Sequence, residues 1–223
     1  VAWCWKANGG TTSSNTDGSI TSTVQVNSKA GFSIVSYSGT GSAGNVGHSL
    51  GVKPDLIICK NRNSNGVPRW VVYDSVTTAA NKMYLDDASA SSSTGNWGNT
   101  EPTSSVFSIG TSTGTNASGG NYITYCFHSV AGYSSIGSYT GNGSTNGPIV
   151  NTGFEPAFVM IKRTDSADNW SITDNKRATS NPRDESLFPN LSSTELTAGY
   201  SVNYLSNGFQ IATSGGGVNA NGG

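Results

Sequence analysis

The feature that most constrains this chain is that it repeats itself. Residues 31–42, which run Gly31-Phe32-Ser33-Ile34-Val35-Ser36-Tyr37 and on to Ser42, return as residues 132–144. Residues 51–60 return as 153–162, and from Tyr37/Tyr139 to Lys60/Lys162 the offset stays at 102. Three further blocks keep the same order with small shifts: 70–74 with 170–174, 107–112 with 209–214, and 116–120 with 219–223. Such a period restricts the chain to a module of roughly 100 residues present twice, because each copy must reproduce the same packing.

The copies end differently. The first runs on into Asn121-Tyr122-Ile123-Thr124-Tyr125-Cys126-Phe127-His128, whereas the second stops at Gly223. The opening segment Val1-Ala2-Trp3-Cys4-Trp5-Lys6 has the pattern of residues 123–128, with Cys4 falling on Cys126. One reading makes residues 1–6 a strand that fills the second module's empty place, in its own chain or in a neighbouring subunit, since an unpaired strand edge is a template for strand addition. The other makes the chain part of a longer array. The start has no initiator Met and no signal-peptide pattern, so it is read as processed or cut from something longer.

Alternation and turn residues specify the elements. Strands are expected at 20–26, 32–37, 56–59, 69–74, 82–85, 105–109 and 122–128, then at 133–139, 158–161, 169–174, 200–205 and 209–213. Asn65-Gly66, Asn142-Gly143, Asn146-Gly147 and Asn207-Gly208 supply the positive φ of tight turns. Only 193–198 admits a short helix. The expected fold class is all-β, with duplicated jelly-roll-like β-sandwich modules and long surface loops at 86–103 and 176–191. The expected divisions are an N-terminal strand and hairpin over 1–30, a first module over 31–129, and a second over 130–223 that lacks its last strand.

Composition narrows the partners. A net charge of −1, with scattered basic residues, lacks the electrostatic footprint of a nucleic-acid binder. No apolar run approaches the ~20 residues that span a bilayer, so no membrane insertion is expected. Three cysteines make no disulfide framework and fit no zinc site, and Cys59 and Cys126 read as small buried groups on strands.

The carboxylates Asp86, Asp87, Glu101, Asp174, Asp184 and Glu185 read as loop charge rather than as a pair set across a sugar. Neither His48 nor His128 lies near a nucleophile elbow. No catalytic residue, metal ligand or cofactor is expected. Trp70 and Trp170 recur and read as core. Trp97 sits between Asn96 and Gly98, close to Asn99, and either stacks on a sugar or folds back as a lid. Trp97, Asn99 and Tyr200 are the glycan-binding candidates, and Val1, Ala2, Trp3, Cys4, Trp5 and Lys6 the candidates for an intersubunit strand.

The two repeated motifs, together with residues 169–177 (Asn169-Trp170-Ser171-Ile172-Thr173-Asp174-Asn175-Lys176-Arg177), resemble a family of repeat-containing virion proteins of marine bacteriophages, described as tail-fibre-like or structural. The resemblance implies a place on the virion exterior and a role in adhesion or assembly. The first reading is accordingly a phage surface appendage protein, a homo-oligomer or polymer. Its repeated β modules form a stalk or fibre and bind host surface glycan or neighbouring subunits through loops such as 86–103. The resemblance supplies no catalytic residues. It also implies that a module continues past the position of Gly223 into a Tyr-aromatic strand. A capsid decoration or filament protein with no ligand, and a carbohydrate-active enzyme on a jelly-roll scaffold, are the competing readings.

Overall fold

The computed structural model describes residues 4–63 and 66–223. Val1, Ala2 and Trp3, half of the expected connector strand, and Asn65 of one expected turn lie outside them. The chain is all-β, in antiparallel sheets, and divides into two compact units. The first takes residues 4–84, 92–130 and 134–136, and the second 85–91, 131–133 and 137–223.

In the first unit, β1 (Ser13–Asn15) pairs with β2 (Ser22–Asn27), which pairs with β3 (Phe32–Ser38). β4 (Gly44–Gly47) lies apart. β5 (Leu56–Asn61), β6 (Trp70–Asp74), β7 (Asn81–Tyr84) and β8 (Ser92–Ser93) follow as a meander, and β9 (Val106–Ile109) pairs with β4. A helical turn, α1 (Thr113–Asn116), leads into β10 (Asn121–Phe127). The last strand inserts between β3 and β5, so the sheet order is β1-β2-β3-β10-β5-β6-β7-β8. The described part of the expected 1–30 segment is therefore no separate division: β1 and β2 extend this sheet.

Period-2 alternation sorts the side chains of the sheet. Val24, Val35, Tyr37, Ile57, Cys59, Val71, Tyr73, Tyr122 and Cys126 face inward and pack with Val46, Phe107 and Ile109 of the β4–β9 pair. Full burial of a Val or Ile contributes about 1.5–3 kcal/mol, which makes this face the main source of cohesion.

The second unit contains β11 (Ile149–Asn151), β12 (Phe158–Ile161), β13 (Ser171–Asp174), β14 (Val202–Leu205), β15 (Gly208–Ile211) and α2 (Gly216–Asn219). The sheets are β11-β15-β14 and β12-β13. Val150 stands opposite Phe209 as Val46 stands opposite Phe107. Gly141 N–H donates to Gly223 O and Gly222 N–H to Gly141 O, as Gly39 N–H donates to Gly120 O and Gly119 N–H to Gly39 O. A Cβ at Gly39 would fall on the Ala117 carbonyl oxygen, and one at Gly141 on that of Ala220. Only glycine allows these approaches.

Several expectations are corrected. Residues 193–198 form no helix; Ser186 and Leu196 exchange backbone bonds there instead. Residues 133–139 carry a single bridge, Val130↔Ser134, and no strand. The 86–103 stretch is not simply a surface loop: 85–91 belongs to the second unit, where Ser91 N–H donates to Thr164 O and Asp168 N–H to Ala88 O. Asn96 and Trp97 from the same stretch are buried in the first unit. The 176–191 stretch is pinned by bridges Ile172↔Leu187 and Arg183↔Val202, and Arg183 and Ser186 are buried.

Candidate functional site

The outward face of the first unit's large sheet carries the site. Register aligns Thr23, Ser36, Ile123, Lys60 and Trp70 in one rung across β2, β3, β10, β5 and β6. Ser38 and Asn121 stand opposite one another in the rung beyond, and Ile34 with Tyr125 in the rung on the other side. Hydroxyl and amide groups gather at one corner of this face, where a shallow groove of about 390 Å³ opens over Thr21, Thr23, Ser36, Ser38, Arg62 and Asn121. It continues over Thr12, Gln25, Ile34 and Ile123. Ser38 Oγ donates to Asn121 Oδ1 at 3.3 Å, and Ser36 Oγ to Thr23 O at 3.5 Å. Among the described residues Arg62 is the one basic side chain of the lining, and its backbone N–H donates to Asn121 O at 2.7 Å.

An aromatic row crosses the opposite corner of the same face. Phe32 stacks on Phe127 at 4.7 Å and lies parallel to Tyr125 at 6.5 Å, and Tyr125 lies 6.4 Å from Trp70. Lys60 Nζ sits 5.5 Å above the Trp70 ring.

The candidate residues do not form one site. Trp97 is 1% exposed and packs edge-on against Tyr73 and Phe107, at 6.0 and 6.5 Å, so no ring face is left for a sugar. Asn99 is exposed in the turn that follows, at φ 50°. Tyr200 belongs to the second unit, where it packs edge-on against Phe188 and donates to Asp168 Oδ1 at 3.2 Å. Burial raises its phenol, and Asp168 raises it further. Of the expected connector, Cys4, Trp5 and Lys6 are exposed and form no strand. Trp5 packs edge-on against Phe127 at 5.9 Å, and Lys6 O accepts from Asn27 Nδ2. The described part of that segment thus rests on the first unit's own sheet.

The titratable groups are tied into the scaffold. Glu101 accepts from Lys53 Nζ (2.8 Å), Tyr73 OH (2.7 Å) and Ala79 N–H (2.7 Å). Burial opposes its ionisation, but these donors outweigh burial and hold the carboxyl below its usual range. Asp174 behaves alike: burial raises it, while Arg177 and the N–H groups of residues 176 and 177 lower it more. Among the described residues no three His, Cys, Asp or Glu side chains come together to hold a metal ion.

The groove's sequence signal is polar alternation, Thr21-x-Thr23 at the entry to β2 and Ser36-x-Ser38 in β3, which is also what any solvent-facing strand shows.

No curated protein and no solved structure matches the chain. A family model described as a domain of unknown function, DUF7483, matches residues 1–223. The chain belongs to the DUF7483 family.

Proposed function

We propose that this chain is a surface structural protein of a virion, a β scaffold that binds host glycan through the groove on the first unit. The groove's chemistry carries the binding half of this reading. Its lining is rich in hydroxyl and amide groups, many of them held on paired strands, and it includes Arg62 and, among the described residues, no carboxylate, imidazole or thiol. Side chains on paired strands keep their spacing, which lowers the ordering cost of binding a polyhydroxylated ligand. The resemblance of the repeated motifs supports the place on a virion, and the absence of an acid–base pair in the lining favours binding over turnover.

The test is titration of the full chain with acidic and neutral oligosaccharides, followed by amide NMR. Shifts should concentrate at Thr23, Ser36, Asn121 and Arg62, and acidic sugars should bind more tightly. Replacing Thr23 and Ser36 by Val should weaken binding by about fivefold per lost hydrogen bond. Absence of binding across both classes, or shifts confined to other surfaces, would refute the reading.

A further inference from the structure

Arg177 and Arg183 both lie in the second unit's long excursion with little exposure, and the chain meets them differently. Arg177, with 8% of its side chain exposed, pairs with Asp174 at 2.8 Å and Glu195 at 2.6 Å. Arg183 is 8% exposed as well, yet among the described residues no carboxylate pairs with it. Asp174 and Glu195 are already engaged by Arg177. A guanidinium taken out of water is costly unless an opposite charge meets it.

The surroundings hold Arg183 in one place. Its backbone N–H donates to Val202 O at 2.7 Å, and Val202 N–H donates back to Arg183 O at 3.1 Å. Asn181 Nδ2 donates to Tyr204 O at 2.7 Å, and its Oδ1 accepts the Tyr204 N–H at 2.8 Å. Residues 181–183 are thus fastened to β14 from both ends. The guanidinium lies 5.4 Å from the centre of the Tyr204 ring, a cation–π contact, and Nη1 donates to Ala178 O.

One edge of the guanidinium fork remains. Nε–H is enclosed and has no acceptor, and Nη2 has none among the described residues either. These two N–H groups point the same way and form the side of an arginine that takes two oxygens of one anion. An enclosed donor in a native fold is normally paired. A water molecule would satisfy the hydrogen bond and leave the charge uncompensated, whereas an anion answers both.

We propose that Arg183 is the binding site of a small oxyanion, a sulfate or a carboxylate, held side-on by Nε–H and Nη2–H. That chemistry is shared by a free ion and by an acidic group on a sugar. The inference is independent of the groove, which belongs to the first unit.

The test is titration of the full chain with sodium sulfate and with sodium acetate, followed through the Arg183 Nε–H NMR signal. Sodium chloride at matched ionic strength is the control. Sulfate and acetate should shift the signal saturably, and chloride should leave it in place. A uronic acid trisaccharide separates the two sources: a shift at lower concentration than acetate assigns the site to a sugar carboxylate, and no shift assigns it to a free ion. Bound sulfate should also raise the thermal midpoint with concentration. Arg183→Lys keeps the charge and lacks the fork, so it should bind sulfate about tenfold more weakly, the effect of losing a hydrogen bond to a charged group. A signal unmoved by both oxyanions, an equal shift with chloride, or equal stabilisation of the native and Arg183→Lys chains by sulfate would overturn the proposal.

Discussion

Asn116 and Asn219 make the same three hydrogen bonds, one set in each unit. Asn116 Oδ1 accepts the Thr40 N–H, and its Nδ2 donates to Ser42 O and Gly110 O, each at 2.7 Å. Asn219 Oδ1 accepts the Asn142 N–H at 2.8 Å, and its Nδ2 donates to Ser144 O and Thr213 O at 2.7 Å. Both are buried, at 0% and 1% exposure. Asn116→Ala should cost about 2–4 kcal/mol, the penalty for stranding buried backbone groups. Asn116→Asp should cost more, because a carboxylate would face two carbonyl oxygens without water. The same order should hold at Asn219, and urea unfolding of the four variants measures it.

His48 sets a pH dependence. Its Nδ1 accepts the Leu50 N–H and its Nε2 meets Thr103 O, both at 3.2 Å, which fixes the neutral Nε2–H tautomer. Burial lowers the imidazole from its usual 6.5, outweighing the Thr103 carbonyl and Asp17. As pH falls through 6.5 the unfolded chain takes up the proton first, so this stability is present above 6.5 and is lost below it. The slope reaches at most about 1.4 kcal/mol per pH unit, and ends once the folded ring itself protonates. Chemical denaturation at pH 7.5 and 5.5 should show this loss in the native chain and not in His48→Gln.

Thiol chemistry should separate the three cysteines. Burial pushes Cys59 up to about 11 and also raises Cys126, and both are fully enclosed. Cys4 is exposed. A thiol reagent at neutral pH should label one site in the folded chain and three after denaturation, with Cys4 identified by peptide mapping. Rapid labelling of Cys59 or Cys126 in the folded chain would contradict the packing of β5 against β10.

Arg177 ties the second unit's long excursion to β13. It donates to Asp174 Oδ2 at 2.8 Å, Glu195 Oε2 at 2.6 Å and Glu185 O at 2.9 Å, with only 8% of its side chain exposed. Removing one partner of a buried pair leaves the other charge uncompensated, so Arg177→Ala should cost about 3–5 kcal/mol. Proteolysis should then cut first within residues 176–196, where Arg177 otherwise holds the backbone.

Much of this was legible in the sequence, and the exceptions have physical reasons. The strands of β3, β5, β10 and β12 follow alternation or a continuous apolar run, signals that survive without tertiary context. Trp97 misleads because its neighbours Asn96, Gly98 and Asn99 suit a loop. Its inward turn is set by Tyr73 and Phe107, which are distant in sequence. Residues 133–139 have strand composition yet make one bridge among the described residues, because a strand needs a neighbour and these residues offer it no counterpart of β10. The turns α1 and α2 are hidden by glycine-rich sequence: in α1 the Ser112 side chain accepts the Gly114 N–H, a cap that no hydrophobic period announces. The groove requires three strands in register and has no signature in any one of them.

The central claim is that one core plan is built twice. Native-state hydrogen exchange of corresponding amides tests it most directly. Thr40 and Asn142, whose amides donate to Asn116 Oδ1 and Asn219 Oδ1, should both exchange slowly in the native chain. Asn142 exchanging as fast as an unbonded loop amide, with Thr40 protected, would contradict the account.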